Sequence, residues 1–330
     1  MNDVHLVIGA ENSPYSVKVR SYFRYKGIAH RWLSRRDAQE AYQKHAKLPL
    51  VPLVITPDDE GIQDSTPIIE RIESRFAEPS IHPSDPIAAF VSVLLEEFGD
   101  EWGNKWMFHY RWARDADQIA ASRRLAAEML PSESGEQLEE AAQRIRERMV
   151  ERVWFVGSNE TTAPQIERSF TDALAILDRH LSERPYLFGQ RPAFADFALW
   201  GQIYNAEKDP TPKALIESAG THLVPWLERM NEPSNAGPFE PWDELCETLE
   251  PLLTDQLAEL FLPWSTANAA AIDAGDEAFT VSLAGEDWTQ KPQKYHARSL
   301  AALKARYQAV HRDDALNAVL DDTGCLRWLT

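Results

Sequence analysis

Leu48-Pro49-Leu50-Val51-Pro52-Leu53-Val54-Ile55 is an apolar run of strand-forming residues interrupted by two prolines. Proline cannot donate to a sheet ladder, so the run does not read as an ordinary central strand. A cis Val51–Pro52 bond at the mouth of a strand resolves the conflict, because cis peptides are essentially confined to proline. Downstream, Thr56-Pro57-Asp58-Asp59-Glu60-Gly61 reads as a turn and Ile62-Gln63 as the last strand of a hairpin. Asp64-Ser65-Thr66-Pro67 then opens a helix carrying Ile68, Ile69, Ile72 and Phe76. Upstream, His5 to Ile8 reads as a buried first strand. Ser13-Pro14 begins a helix with Val17, Val19, Tyr22 and Phe23 at helical spacing, Ser as its cap and Pro in its first turn. Gly27 ends that helix, residues 29–33 read as a second strand, and residues 37–46 as a polar helix. The predicted order is strand, helix, strand, helix, strand, strand, helix.

Composition narrows the function classes. The chain has 330 residues and a net charge of -18, so a polyanion is repelled and nucleic acid is not an expected partner. No run approaches the roughly 18 apolar residues of a membrane-spanning helix. The N-terminus has no basic leader followed by an apolar stretch, and the reading is a soluble, cytoplasmic protein without membrane attachment. Cys246 and Cys325 alone support neither a disulfide framework nor a zinc cluster. Lys18, Arg20, Arg24, Lys26, Arg31, Arg35 and Arg36 follow one another with no acidic residue between them. That stretch reads first as a solvated face, and second as a positive field for a small anion carrying carboxylates.

In their order and separation, Ser13-Pro14-Tyr15-Ser16, Leu50-Val51-Pro52-Leu53 and Gln63-Asp64-Ser65-Thr66-Pro67-Ile68-Ile69 resemble the glutathione transferase family. The likeness is strongest to its Ser- and Cys-type branches, such as the tau and omega classes. It implies an α/β thioredoxin-like N-terminal domain, followed by an all-α C-terminal domain of the glutathione transferase type. It also implies an enzyme with glutathione as co-substrate, no metal, and a homodimeric assembly. Ser13 takes the role of thiolate stabiliser, and Tyr15, Val51, Pro52, Asp64 and Ser65 complete the glutathione site. In that site Val51 pairs with the cysteinyl backbone, Asp64 with the γ-glutamyl ammonium, and Ser65 with its carboxylate. A cation for the glycine carboxylate comes from Arg35, Arg36, Lys44 or Lys47, and the sequence does not choose among them.

The chemistry has a physical basis. Glutathione reacts as its thiolate, and a helix N-terminus offers free N–H groups and partial positive charge to an anion. A serine hydroxyl there can donate one more hydrogen bond, although the same hydroxyl also serves as an ordinary cap. Since Ser13 stands where other members carry cysteine, no mixed disulfide forms at that position. Conjugation, elimination or isomerisation is then favoured over thiol–disulfide reduction.

Residues 1–78 form the expected first domain and 79–86 a linker with Pro79, Pro83 and Pro86. A helical domain over 87–250 and an extension over 251–330 follow. Trp102, Trp106, His109 and Tyr110 lie on a long aromatic-rich helix. Such stripes are usually core, but the resemblance makes these four candidates for the acceptor-substrate pocket. Leu187 to Leu199 resembles the family's helix-capping motif, with Ala193 in the Ser or Thr position and Asp196 retained, so half of the reciprocal box is missing. In the extension, residues 242–262 read as one or two helices, residues 279–289 as a hairpin around Gly285, and two short helices end the chain.

The leading expectation is a glutathione transferase acting on a hydrophobic, aromatic electrophile. Glutathione-dependent isomerisation, ether cleavage or dehalogenation is the alternative within the class. A non-catalytic scaffold is the alternative outside it.

Overall fold

The structure is a computed structural model that describes residues 4–330, so residues 1–3 of the expected first domain lie outside the described residues. The N-terminal part follows the predicted order: β1 (His5–Ile8), α1 (Pro14–Tyr25), β2 (His30–Leu33), α2 (Gln39–His45), β3 (Leu53–Ile55), β4 (Gly61–Gln63) and α3 (Ser65–Glu73). The sheet order is β2-β1-β3-β4, with β1 parallel to β2 and antiparallel to β3, and β3 antiparallel to β4. That is the thioredoxin-like arrangement. Short strands suffice because both faces are covered. Val7 and Val54 point to the α1 and α3 side, while Ile8, Leu53 and Ile55 pack under Ala38 and Tyr42 of the α2 side. The Val51–Pro52 peptide is cis, as the two-proline run predicts.

The second domain is helical: α4 (Pro86–Phe98), a π-helical turn (Gly99–Gly103), α5 (Asn104–Ala113), α6 (Asp115–Met129), α7 (Glu136–Val150), a 3-10 turn (Val153–Val156), α8 (Ala163–Leu181), α9 (Phe194–Glu207), α10 (Pro210–Ala219) and α11 (Leu223–Arg229). At the head of α9, Ala193 has no acceptor to offer the cap, and Asp196 supplies the other half of the box alone. Its carboxylate accepts from the N–H groups of Ala193 and Leu187, each at 2.9 Å, and from Trp226 Nε1 at 3.0 Å. The fold keeps the motif because that buried carboxylate satisfies three donors on separate segments.

The expected boundary at 250/251 falls inside one unbroken helical run. It comprises α12 (Trp242–Pro251), a π-helical segment (Leu252–Phe261) and α13 (Leu262–Ala274). Pro251 and Pro263 do not break it, because the wider π turns between them absorb the ladder that proline disrupts. The predicted hairpin forms as β5 (Phe279–Leu283) and β6 (Glu286–Gln290), with Ala284 and Gly285 both at positive φ in its two-residue turn. Three helices rather than two short ones end the chain: α14 (Lys294–Val310), α15 (Asp314–Asp322) and α16 (Leu326–Leu329). Leu300, Leu303 and Tyr307 of α14 are buried, and the Tyr307 ring lies 5.9 Å from that of Phe90 on α4. The extension is therefore part of the core. Among the described residues no helix is long and apolar enough to cross a membrane.

Candidate active site

Ser13 is the N-cap of α1, in extended backbone, and its Oγ accepts from the Ser16 N–H at 3.3 Å. Pro14 occupies the first turn and contributes no donor, and the turn holds no acidic side chain. The Tyr15 N–H has no partner among the described residues, so the helix presents an unmet donor and its positive end beside Ser13.

Two cavities flank the Val51–Pro52 turn. The first, about 330 Å³, is lined on the sheet side by Leu48, Leu50, Val51, Pro52, Gln63 and Asp64, with Tyr15 from α1. Its other walls are Glu101, Asn104 and Lys105 from the π turn and α5, Phe155 and Val156, and Gln293, Tyr295 and His296 leading into α14. The second is lined by Gly9, Ala10, Pro49 and Val51, by Arg35, Arg36, Gln39, Tyr42 and Gln43 around α2, and by Leu125, Glu128 and Met129 of α6. Val51 belongs to both, and neither its N–H nor its C=O has a partner among the described residues. Ser13 lines neither cavity; along the chain it falls between Ala10 of the second and Tyr15 of the first.

Of the site residues expected from sequence, Tyr15, Val51, Pro52 and Asp64 meet in the first cavity. Ser65 does not line it: the side chain is buried and donates to Asp100 Oδ2 at 3.3 Å. The same carboxylate oxygen takes Lys18 Nζ at 2.6 Å, and Lys18 also reaches Glu96 Oε1 at 2.6 Å. Asp64 accepts from the Tyr295 hydroxyl at 3.1 Å, and burial raises its carboxyl above the usual aspartate value. The basic stretch is divided: Arg31, Arg35 and Arg36 are solvated, as the first reading expects, and its α1 end is not. Lys18, Arg20 and Lys26 are buried in ion pairs with Glu96, Glu11 and Glu73, and only Arg35 and Arg36 of that stretch line the second cavity. Lys44 is held by Asp59, and Lys47 lines neither cavity.

Trp102, Trp106, His109 and Tyr110 do not line the first cavity; they are buried on the adjoining face. Trp102 and Trp106 both donate to Ser169 Oγ, at 2.8 and 2.9 Å. His109 is held between Ser158 Oγ at 2.8 Å and Glu167 Oε1 at 2.9 Å, while Tyr110 borders a separate hollow with Arg114. Helical periodicity accounts for the difference. The stripe that holds the tryptophans faces α8, so the neighbouring stripe of Glu101 and Lys105 is turned to the cavity. A charged pair four apart within an aromatic helix was the available signal for those two. No sequence motif marks Tyr295 and His296.

Glu101 and Lys105 are unusual groups for a cavity wall. Burial first, then the Asp64 carboxylate, raises the Glu101 carboxyl well above its ordinary value. Glu101 is hydrogen-bonded to Nδ1 of His296, whose imidazole burial drives strongly towards the neutral form, with Lys105 adding to the effect. Lys105 Nζ donates to Val156 O at 3.1 Å and Gln290 Oε1 at 3.4 Å, and lies 3.7 Å from the Trp264 ring centre. It ties α5 to the extension.

Comparisons with known proteins bear on the fold. Residues 7–80 match the glutathione S-transferase N-terminal domain, and residues 132–229 match the glutathione S-transferase C-terminal domain. A search of curated proteins gave no match. Similar solved structures include a tau class glutathione S-transferase from mango, Mangifera indica L., at 18% identity and TM-score 0.41, covering 75% of this chain and 98% of that one. A beta-etherase from Sphingobium sp. strain SYK-6 has 20% identity and TM-score 0.47, covering 74% of this chain and 98% of its own. Maleylacetoacetate isomerase from Anaeromyxobacter dehalogenans 2CP-1, with glutathione bound in its active site, has 20% identity and TM-score 0.36, over 69% and 94%. With both family domains matched in order, over more than half its length, the chain belongs to the glutathione S-transferase superfamily.

Proposed function

We propose that this protein binds glutathione across the Val51–Pro52 turn and uses its thiolate against a hydrophobic electrophile held in the first cavity. The observation that carries the reading is Val51, a residue with free backbone N–H and C=O shared by two cavities. One holds Asp64, suited to the γ-glutamyl ammonium; the other holds Arg35 and Arg36, suited to the glycine carboxylate. The cysteinyl sulfur then falls towards the α1 N-terminus. There the Ser13 hydroxyl donates its proton to the thiolate while its oxygen still accepts the cap bond from the Ser16 N–H, and the helix end lowers the thiol pKa. The thiolate attacks the electrophilic carbon, the C–S bond forms, and the leaving group departs with its electron pair. Leu48, Leu50, Phe155 and Val156 supply the apolar surface for the second substrate.

Calorimetric titration of glutathione into wild type and Ser13→Ala, with turnover of 1-chloro-2,4-dinitrobenzene, tests this. Wild type is expected to bind and turn over. Ser13→Ala is expected to bind within about threefold and lose about 10²-fold in kcat, the usual cost of one donor to a developing or bound anion. Absence of glutathione binding by wild type would leave a scaffold that keeps only the fold.

A further inference from the structure

Four polar side chains join α14 to the α4 side of the first cavity in one chain of contacts. Glu97 lies in the last turn of α4 and Glu101 in the π turn after it, while His296 and Ser299 come from the first turns of α14. The Ser299 hydroxyl meets Glu97 Oε1 on one side and Glu101 Oε1, at 3.4 Å, on the other. The second Glu101 oxygen is bonded to His296 Nδ1. Both carboxyls are buried.

A hydroxyl carries one proton, so Ser299 donates to only one of the two carboxyls that it touches. Satisfying every contact takes one more proton, on Glu97 or on Glu101. The protonated carboxyl then donates to Ser299 Oγ, Ser299 donates to the other carboxylate, and the Nδ1–H of neutral His296 donates to Glu101 Oε2. With both carboxyls ionised, one contact is left as two oxygens with no hydrogen between them, and two like charges lie buried side by side. No neighbouring cation relieves this. Lys18 is spent on Glu96 and Asp100, and Arg306 on Glu70. Burial drives Lys105 towards the neutral amine. Asp64, Tyr15 and Tyr295 bring negative charge or none. Burial first, then the neighbouring carboxylates, accordingly raises both Glu97 and Glu101.

We propose that this chain of contacts is a proton-operated latch: α14 is held against α4 while the two carboxyls share one proton, and its first turns are released when that proton is lost. On release Gln293, Tyr295 and His296 leave the cavity wall, and Tyr295 leaves Asp64. Leu300, Leu303 and Tyr307 keep the rest of α14 in the core. The latch governs access to the cavity whatever the cavity binds, and it stands apart from the glutathione reading. In the released state both carboxyls regain their ordinary value of 4.5, so closure takes up a proton at neutral pH. Closure therefore weakens as pH rises above 4.5, and Glu101 stops contributing once pH passes its raised value of about 8. His296 acts in the opposite sense. Burial lowers its pKa, so it opposes closure only below its ordinary 6.5.

Hydrogen exchange of the whole chain, read by mass spectrometry at pH 6.5, 7.5 and 8.5 and divided by the intrinsic rate at each pH, tests the latch. In wild type, protection of the α14 amides of residues 298–303 is expected to fall about tenfold from pH 6.5 to 7.5, one proton per opening, and by less from 7.5 to 8.5. The amides of α8, which carries none of the latch residues, are expected to keep their protection. Glu97→Gln and Glu101→Gln each put a permanent N–H donor in place of the titrating O–H. Each variant is therefore expected to hold the protection of pH 6.5 at all three values. The wild-type series needs no variant and so survives any folding defect. Protection of α14 that does not change with pH in wild type, an equal loss in α8, or the wild-type pH dependence in either variant overturns the latch.

Discussion

Glu11, just ahead of the Ser13 cap, gathers cations from two domains. Its carboxylate takes Arg20 Nη1 at 2.5 Å, the Tyr204 hydroxyl at 3.0 Å and Lys208 Nζ at 3.2 Å. Partial burial works to raise its pKa, but Arg20 and Lys208 outweigh burial and hold the carboxyl down to about 2. The folded value lies below the unfolded one, so the stabilisation is present above about pH 4.5 and is lost as pH falls towards 2. With the side chain 41% exposed, solvent screening reduces the contribution to about 1 kcal/mol. Urea unfolding at pH 3 and pH 6 is expected to show wild type losing about that much more stability on acidification than Glu11→Gln. Equal losses would mean the pairs carry no net energy. Glu11 was legible only as a residue near a motif, because Tyr204 and Lys208 lie far along the chain.

At the scale of elements, the decisive piece is α14. A helix start after the β5–β6 hairpin brings Tyr295 to Asp64, the acceptor proposed for the γ-glutamyl ammonium. On that proposal the ligand has to share or displace the Tyr295 hydroxyl. Tyr295→Phe is expected to lower the glutathione Kd about fivefold, corresponding to one hydrogen bond of about 1 kcal/mol. A raised Kd in the same calorimetric titration would make Tyr295 a contributor to binding instead. The hairpin itself was readable from alternation around Gly285. Its destination was not, because Gln290 reaches Trp264 at 3.0 Å, Trp288 at 3.1 Å and Lys105 at 3.4 Å through contacts that leave no local pattern.

Across the whole molecule, the two domains are locked by buried charge and close backbone approach. Lys18 of α1 is sealed between Glu96 and Asp100 of the second domain, and Arg111 and Arg124, which share Asp209, donate to the backbone and side-chain oxygens of Asn12 in the first domain. Removing one partner of such a set strands the other, so these groups fix the domain arrangement more than they add stability. Gly201 of α9 lets the helix approach α1, since a Cβ there would stand 2.7 Å from Pro14 O. Gly201→Ala is expected to push back the α1 N-terminus and Ser13 with it. Stability should fall by about 1–3 kcal/mol in thermal unfolding, and kcat should fall more than glutathione affinity. Unchanged kcat in a folded variant would show that the spacing of α1 and α9 does not set the Ser13 geometry.

The sequence by itself determined the thioredoxin-like order, the cis Val51–Pro52 turn, the Ser13 cap, the half capping box at Asp196 and the hairpin at Gly285. Each is a local matter: φ restrictions of proline and glycine, capping chemistry and hydrophobic period act within a few residues. Tertiary structure alone decided which face of α5 meets the cavity and that a helical run continues through residue 251. It also decided that Lys18 and Arg20 of α1 are buried in ion pairs, and that residues from the far end of the chain complete the candidate site. Those outcomes depend on partners tens to hundreds of residues away. A charge or an aromatic stripe carries no mark of which surface will cover it until the chain has packed.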